Sequence, residues 1–222
     1  MNGWWVHSIF NGAGGGDAGT VAVVSWAVIV IGSIVLHELA HGWAALWEGD
    51  GTPRELGHMT GNPMVHMGGF SLILFAVLGI AFGAMPVNPA RFRHGNMGRI
   101  VVAAAGPAMN LVLFLLFAVG LGVLWRSGAE GGFMDNLEQF LQIGAMLNLL
   151  LCVFNLLPIP PLDGWRILEG VNWKFRALSS HPNAQIASLM FLMLIFMTGA
   201  FGFLWALAAN GTGLVAGLVA GG

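Results

Sequence analysis

The sequence predicts an all-α polytopic membrane protein. Of its 222 residues 57% are hydrophobic and 8% are charged, and four apolar runs are each long enough to cross a bilayer. A soluble domain carries about 25% charged residues, and a spanning helix needs about 20 consecutive apolar ones. The net charge of −2 leaves no basic patch, so no nucleic-acid partner is expected. The single cysteine, Cys152, excludes a disulfide within the chain.

The start, "MNGWWVHSIF", has no basic n-region, so no cleavable signal peptide is expected. Its tryptophans suit the membrane–water interface. Charges mark the loops, because a charge at the bilayer centre costs roughly 2.5–3.5 kcal/mol on insertion scales. Between them lie spans over residues 18–47, 100–125, 137–157 and 185–209. A fifth apolar run, 68–86, holds four glycines before Pro86 and either dips in and returns or crosses as a further helix. The loop 48–67 is rich in turn formers and has room for a short β-hairpin at the cytoplasmic face. The tail 210–222 repeats glycine at 213, 217 and 221; this spacing can pack helices, but the tail reads as a loose terminus. The chain is expected to form one domain, 1–222, with its chemistry between residues 35 and 170.

That chemistry begins in "VLHELAHGWAALW", residues 35–47. His37 and His41 are four apart on a helix, so both imidazoles share one face. Two neutral histidines so spaced suit a tetrahedral zinc, and the adjacent Glu38 can act as general base on water: this is H-E-x-x-H. The plainer reading is a pair of buried histidines bonded to neighbouring helices; ionisable groups inside a span favour function. A catalytic zinc commonly adds a carboxylate ligand. Asp163 is the candidate, in "NLLPIPPLDGWRIL" just past an apolar helix stopped by Pro158, Pro160 and Pro161. It either caps the next helix or turns back to the metal, and the zinc pattern favours the ligand.

These motifs resemble the site-2 protease family of intramembrane zinc metalloproteases. "HELAH" (37–41) matches its H-E-x-x-H, "NLLPIPPLDG" (155–164) its N-x-x-P-x-P-x-L-D-G, and "AAGPAMN" (104–110) its A-G-P-x-x-N. The compact form resembles the small bacterial and archaeal branch, without PDZ or CBS domains. The resemblance implies cleavage of a transmembrane protein substrate within or near its membrane segment, in a prokaryotic cytoplasmic membrane, with the site toward the cytoplasm. It implies Zn²⁺ held by His37, His41 and Asp163, with Glu38 as catalytic base. It also implies Asn155 as a substrate or oxyanion group, and Asn110 in a structural role. Relatives often carry an acidic residue after the histidine at position 66, where this chain has "HMGG", so neither His66 nor His58 is given a role. The competing reading is a zinc-binding membrane protein without hydrolytic activity, such as a metal carrier.

The ligand set constrains topology. His41 lies about 9 Å before the end of its helix at 1.5 Å per residue, and Asp163 lies just past the end of the third span. For them to meet, both helices must end on one face, so 68–86 is expected to be re-entrant. Arg54, Arg91, Arg93, Arg99, Arg166, Lys174 and Arg176 then share that face, and Arg126 alone lies opposite.

Overall fold

Four helices among the described residues are long and apolar enough to cross a membrane. The structure is a computed structural model, and it describes residues 5–179, 190 and 199–221. A short helix α1 (Trp5–Gly12) leads into α2 (Gly16–Trp47), which turns out of its last turn at Glu48 and Gly49. At 32 residues, α2 is about 48 Å long at 1.5 Å per residue, so it projects beyond a hydrocarbon core of about 30 Å. Next come a one-turn helix α3 (Thr52–Glu55), α4 (Pro63–Leu78), α5 (Asn96–Ser127) and α6 (Gly132–Asn155). The short helices α7 (Asp163–Val171) and α8 (Trp173–Ser179) follow, and α9 (Ala200–Ala220) closes the described chain.

Helices α5 and α6 pack side by side, with α2 and α9 each resting on both, and α7 lies against α5. The main core joins Ile29, Val30 and Ile34 of α2 to Met67 and Phe75 of α4, Leu147 and Leu150 of α6, and Leu204 and Ala208 of α9. Outward-facing Val112, Leu116 and Val123 of α5 and Leu214 and Leu218 of α9 are exposed. Such apolar stripes suit lipid, which does not penalise them as water does.

The 68–86 run returns to where it enters. Asn62 caps α4 by accepting the Met64 N–H, Gly68 breaks the helix with φ 66°, and Gly79 ends it in the left-handed region. Ser71 Oγ then donates to the Phe82 carbonyl and accepts the Phe82 N–H, and the Ala84 N–H donates to the His66 carbonyl. Residues 82 and 84 thus meet 71 and 66 in reverse order, so 82–84 run antiparallel beside α4. Trp5 steadies the tip: its indole N–H donates to the Ala76 carbonyl and its ring packs on Phe75.

Two buried carboxylates anchor the outgoing chain. Asp50 accepts the N–H groups of Asn88 (2.6 Å) and Thr52 (3.0 Å), while Glu48 accepts the His94 N–H (3.1 Å). Burial would raise both carboxyl pKa values, but hydrogen bonds from Thr52 and Asn88, and from His94, outweigh it and hold both below the usual carboxylate range.

Two expectations change. Residues 48–67 build α3, turns and the start of α4 rather than a hairpin, and no strand occurs among the described residues. The tail read as loose is helical, because Ala208, Thr212 and Ala216, four apart, are buried against the bundle. Gly122 of α5 meets the Ala216 carbonyl and Val219, while Gly213 and Gly217 face open space, so the packing stripe is a different one from the glycine repeat. Of the expected 185–209 span, residues 185–189 and 191–198 lie outside the described residues.

Candidate metal centre

The helical repeat of α2 puts His37 and His41 on one face, and both are buried. Their Nε2 atoms are 3.0 Å apart. Asp163 Oδ2 lies 3.1 Å from His37 Nε2 and 3.3 Å from His41 Nε2. Asp163 opens α7 but caps nothing: Leu162 is the N-cap, and the carboxylate turns back to the histidines. Gly164 makes this seat possible, since a Cβ there would collide with the Leu156 and Leu157 carbonyls.

Neighbouring groups determine which nitrogens carry protons. Asn148 Nδ2 donates to the Gly144 carbonyl, which leaves Asn148 Oδ1 to accept from Asn110 Nδ2. Asn110 therefore turns Oδ1 toward His37 Nδ1, at 2.6 Å, and Nδ1 must donate. His41 Nδ1 donates to the Val102 carbonyl at 2.7 Å. Both neutral rings thus aim an Nε2 lone pair inward. Two lone pairs and a carboxylate oxygen converge, and only a cation relieves their mutual repulsion. In a tetrahedral site with bonds of about 2.0–2.1 Å, ligand atoms stand about 3.3–3.4 Å apart, close to the spacing of this triplet. His37, His41 and Asp163 can therefore hold one metal ion.

Helix α5 supplies the back wall from a single face. Val102, Gly106 and Asn110 are four residues apart and so align. A Cβ at Gly106 would come within 2.5 Å of His37 Nε2, so only glycine lets the helix lie this close. Pro107 beside it has no N–H to give the ladder.

Glu38 is also buried, and among the described residues no hydrogen-bond donor holds its carboxylate. Gly83 of the returning segment packs on it, leaving 2.8 Å between a would-be Cβ and Glu38 Oε1. A cavity of about 220 Å³ opens here, lined by His37, Glu38, His41, Asn155 and Asp163 together with residues 81–85. Asn155 ends α6 with one Nδ2 hydrogen on the Leu151 carbonyl at 3.0 Å, and its second is unassigned. His58 and His66 stand apart from the triplet: their rings pair edge-on, and His66 Nε2 donates to the Thr60 carbonyl. Sequence reasoning missed Asn148, Gly106 and Gly83. Asn148 could have been noticed as an amide in the middle of an apolar helix.

The family model described as peptidase family M50 matches residues 129–198. Several relatives carry "zinc metalloprotease" in their names. YwhC of Bacillus subtilis is 39% identical over 64% of this chain and 66% of its own. Rip2 of Mycobacterium tuberculosis is 29% identical over 80% of this chain and 66% of its own. MJ0611 of Methanocaldococcus jannaschii is 30% identical over 68% of this chain and 72% of its own. The chain spans about two thirds of YwhC and about half of Rip2 from Mycolicibacterium smegmatis. No solved structure matches it. Because MJ0611 is 30% identical and covered over 72% of its own length, and the family model matches residues 129–198, the chain belongs to peptidase family M50, the site-2 protease family.

Proposed function

We propose that the chain is a zinc metalloendopeptidase that cuts a membrane-embedded protein within or near its transmembrane segment. The observation that carries this is the convergence of three acceptor atoms beside an unheld carboxylate, inside a helical membrane bundle. His37, His41 and Asp163 would hold zinc, which supplies Lewis acidity toward a carbonyl and toward water. Glu38 takes the proton of the attacking water and returns it to the leaving amine. The second Nδ2 hydrogen of Asn155 is offered to the developing oxyanion.

The substrate helix must unwind for its carbonyls to react. The returning segment suits this, because Phe82 spends both backbone groups and Ala84 its N–H on α4. In an extended chain residues 81, 83 and 85 turn theirs the opposite way, which offers an edge for strand addition. The centre sits at the end of the molecule that gathers Arg54, Arg91, Arg93, Arg99 and Arg166, which supports a site facing the cytoplasm. One membrane-embedded domain carries the whole centre.

The test is the Glu38→Gln variant with a co-reconstituted transmembrane substrate. It is expected to retain zinc and lose at least 100-fold in cleavage, the usual worth of a general base. Cleavage at the wild-type rate would remove Glu38 from its role. A wild-type protein that binds zinc and never cleaves would favour a non-hydrolytic zinc binder.

A further inference from the structure

A second cavity adjoins the metal centre, of about 370 Å³. It shares His41, Met85 and Arg166 with the first, so the two meet at the mouth of the site. Its walls are Met85, Pro86, Val87 and Pro89 of the outgoing chain on one side, and Arg99 of α5 and Arg166 of α7 on the other.

The two arginines are held there by backbone packing. Gly170, in the last turn of α7, presses against Ile100 and the Asn96 carbonyl at the start of α5, which seats α7 against the turn that bears Arg99. Gly98 fits under Glu48, fixing the turn that bears Arg99. Among the described residues neither guanidinium forms an ion pair, unlike Arg91, which pairs with Glu55 at 2.8 Å. Glu169 also lines the cavity, but its Oε1 already accepts the Trp165 indole N–H and the Ser179 hydroxyl. The cavity therefore carries two cations and one carboxylate, which keeps its charge but has Oε1 engaged by neutral donors, so the lining is net positive. Arg99 is half-buried and Arg166 is exposed, and both line a space shared with the metal ligand His41.

We infer that Arg99 and Arg166 form a subsite for an acidic side chain of the substrate, near the bond to be cut. This rests on the protease reading above. A substrate laid along the returning segment passes from Gly83, against Glu38, to Val87, beside the arginines. Four extended residues cover about 13 Å, so the recognised carboxylate stands about two to four residues from the scissile bond. The planar guanidinium fork matches a carboxylate, and Arg99 and Arg166 determine specificity without touching the reacting atoms.

Binding tests the subsite without requiring turnover. The zinc-loaded Glu38→Gln protein, in phosphatidylcholine vesicles, is titrated with transmembrane peptides bearing one Asp or one Asn at successive juxtamembrane positions. At one or two adjacent positions Asp is expected to bind about tenfold tighter than Asn, a modest coupling for close charge pairs. Arg99→Gln and Arg166→Gln should each shrink that ratio, and the double variant should bring it to one. Arg166→Glu should make Lys the favoured residue at the same position. Zinc content reports that each variant is folded. The inference is overturned if no position favours Asp, if the ratio survives the double variant, or if the arginines affect only binding to vesicles containing anionic lipid. Should the Asp preference depend on the arginines while zinc-loaded wild type cuts none of these peptides, the subsite stands and the hydrolytic reading falls.

Discussion

Asn110 determines which nitrogen of His37 is free for a metal, and it does so through a chain of amides ending on the Gly144 carbonyl. Replacing it by leucine of similar volume leaves Nδ1 with no acceptor and lets the ring change tautomer. Asn110→Leu is expected to weaken zinc binding about 10–100-fold, the usual cost of losing an outer partner of a ligating histidine. Competition with a chromogenic chelator measures it. Asn148→Leu should do less, because Asn110 keeps its contact and loses only its orientation. An unchanged affinity in Asn110→Leu would show that the carboxamide does not set the tautomer.

The returning segment behaves as one element, held by Ser71 and His66 inside and by Asp50 at its exit. With Cys152 removed, single cysteines at positions 64 and 88 are expected to react with impermeant reagent from the same side. Reaction from opposite sides would refute the return. The exit has a pH signature. Asp50 and Glu48 are held below the usual carboxylate range. Their contribution is therefore fully present above that range, and is lost as pH falls through it toward the depressed folded values. The wild-type Tm should drop on acidification more steeply than that of Asp50→Asn, which has one fewer carboxylate to protonate. Parallel Tm curves would mean that Asp50 does not anchor the exit.

Across the whole molecule, the stripe of Ala208, Thr212 and Ala216 shows why small residues decide how helices meet in lipid. Ala216→Leu overfills the contact with Gly122 of α5, and should cost about 1–3 kcal/mol of stability while zinc content holds. Thermal unfolding in detergent checks it, and an unchanged Tm would place the α5–α9 contact elsewhere. The spans were legible because composition alone separates lipid-facing helices from charged loops. The grouping of His37, His41 and Asp163 was legible because ionisable residues are rare in grease, the two histidines share the helical repeat, and Asp163 follows a helix stopped by prolines. Gly106, Gly83 and Asn148 were not, since what they touch depends on which faces of distant helices come together. The tail misled for the same reason: its glycines follow a packing period, but its alanines make the contact.

Asp163 and Arg166 are three residues apart on α7, hence on one side of a helix nine residues long. That helix is seated through Gly164 under α6 and through Gly170 on α5. One small rigid body thus presents both a metal ligand and the cation that lines the mouth of the site. Any coupling between the two sites through this helix is reciprocal. Whatever factor zinc adds to the affinity for an acidic peptide, that peptide returns to the affinity for zinc.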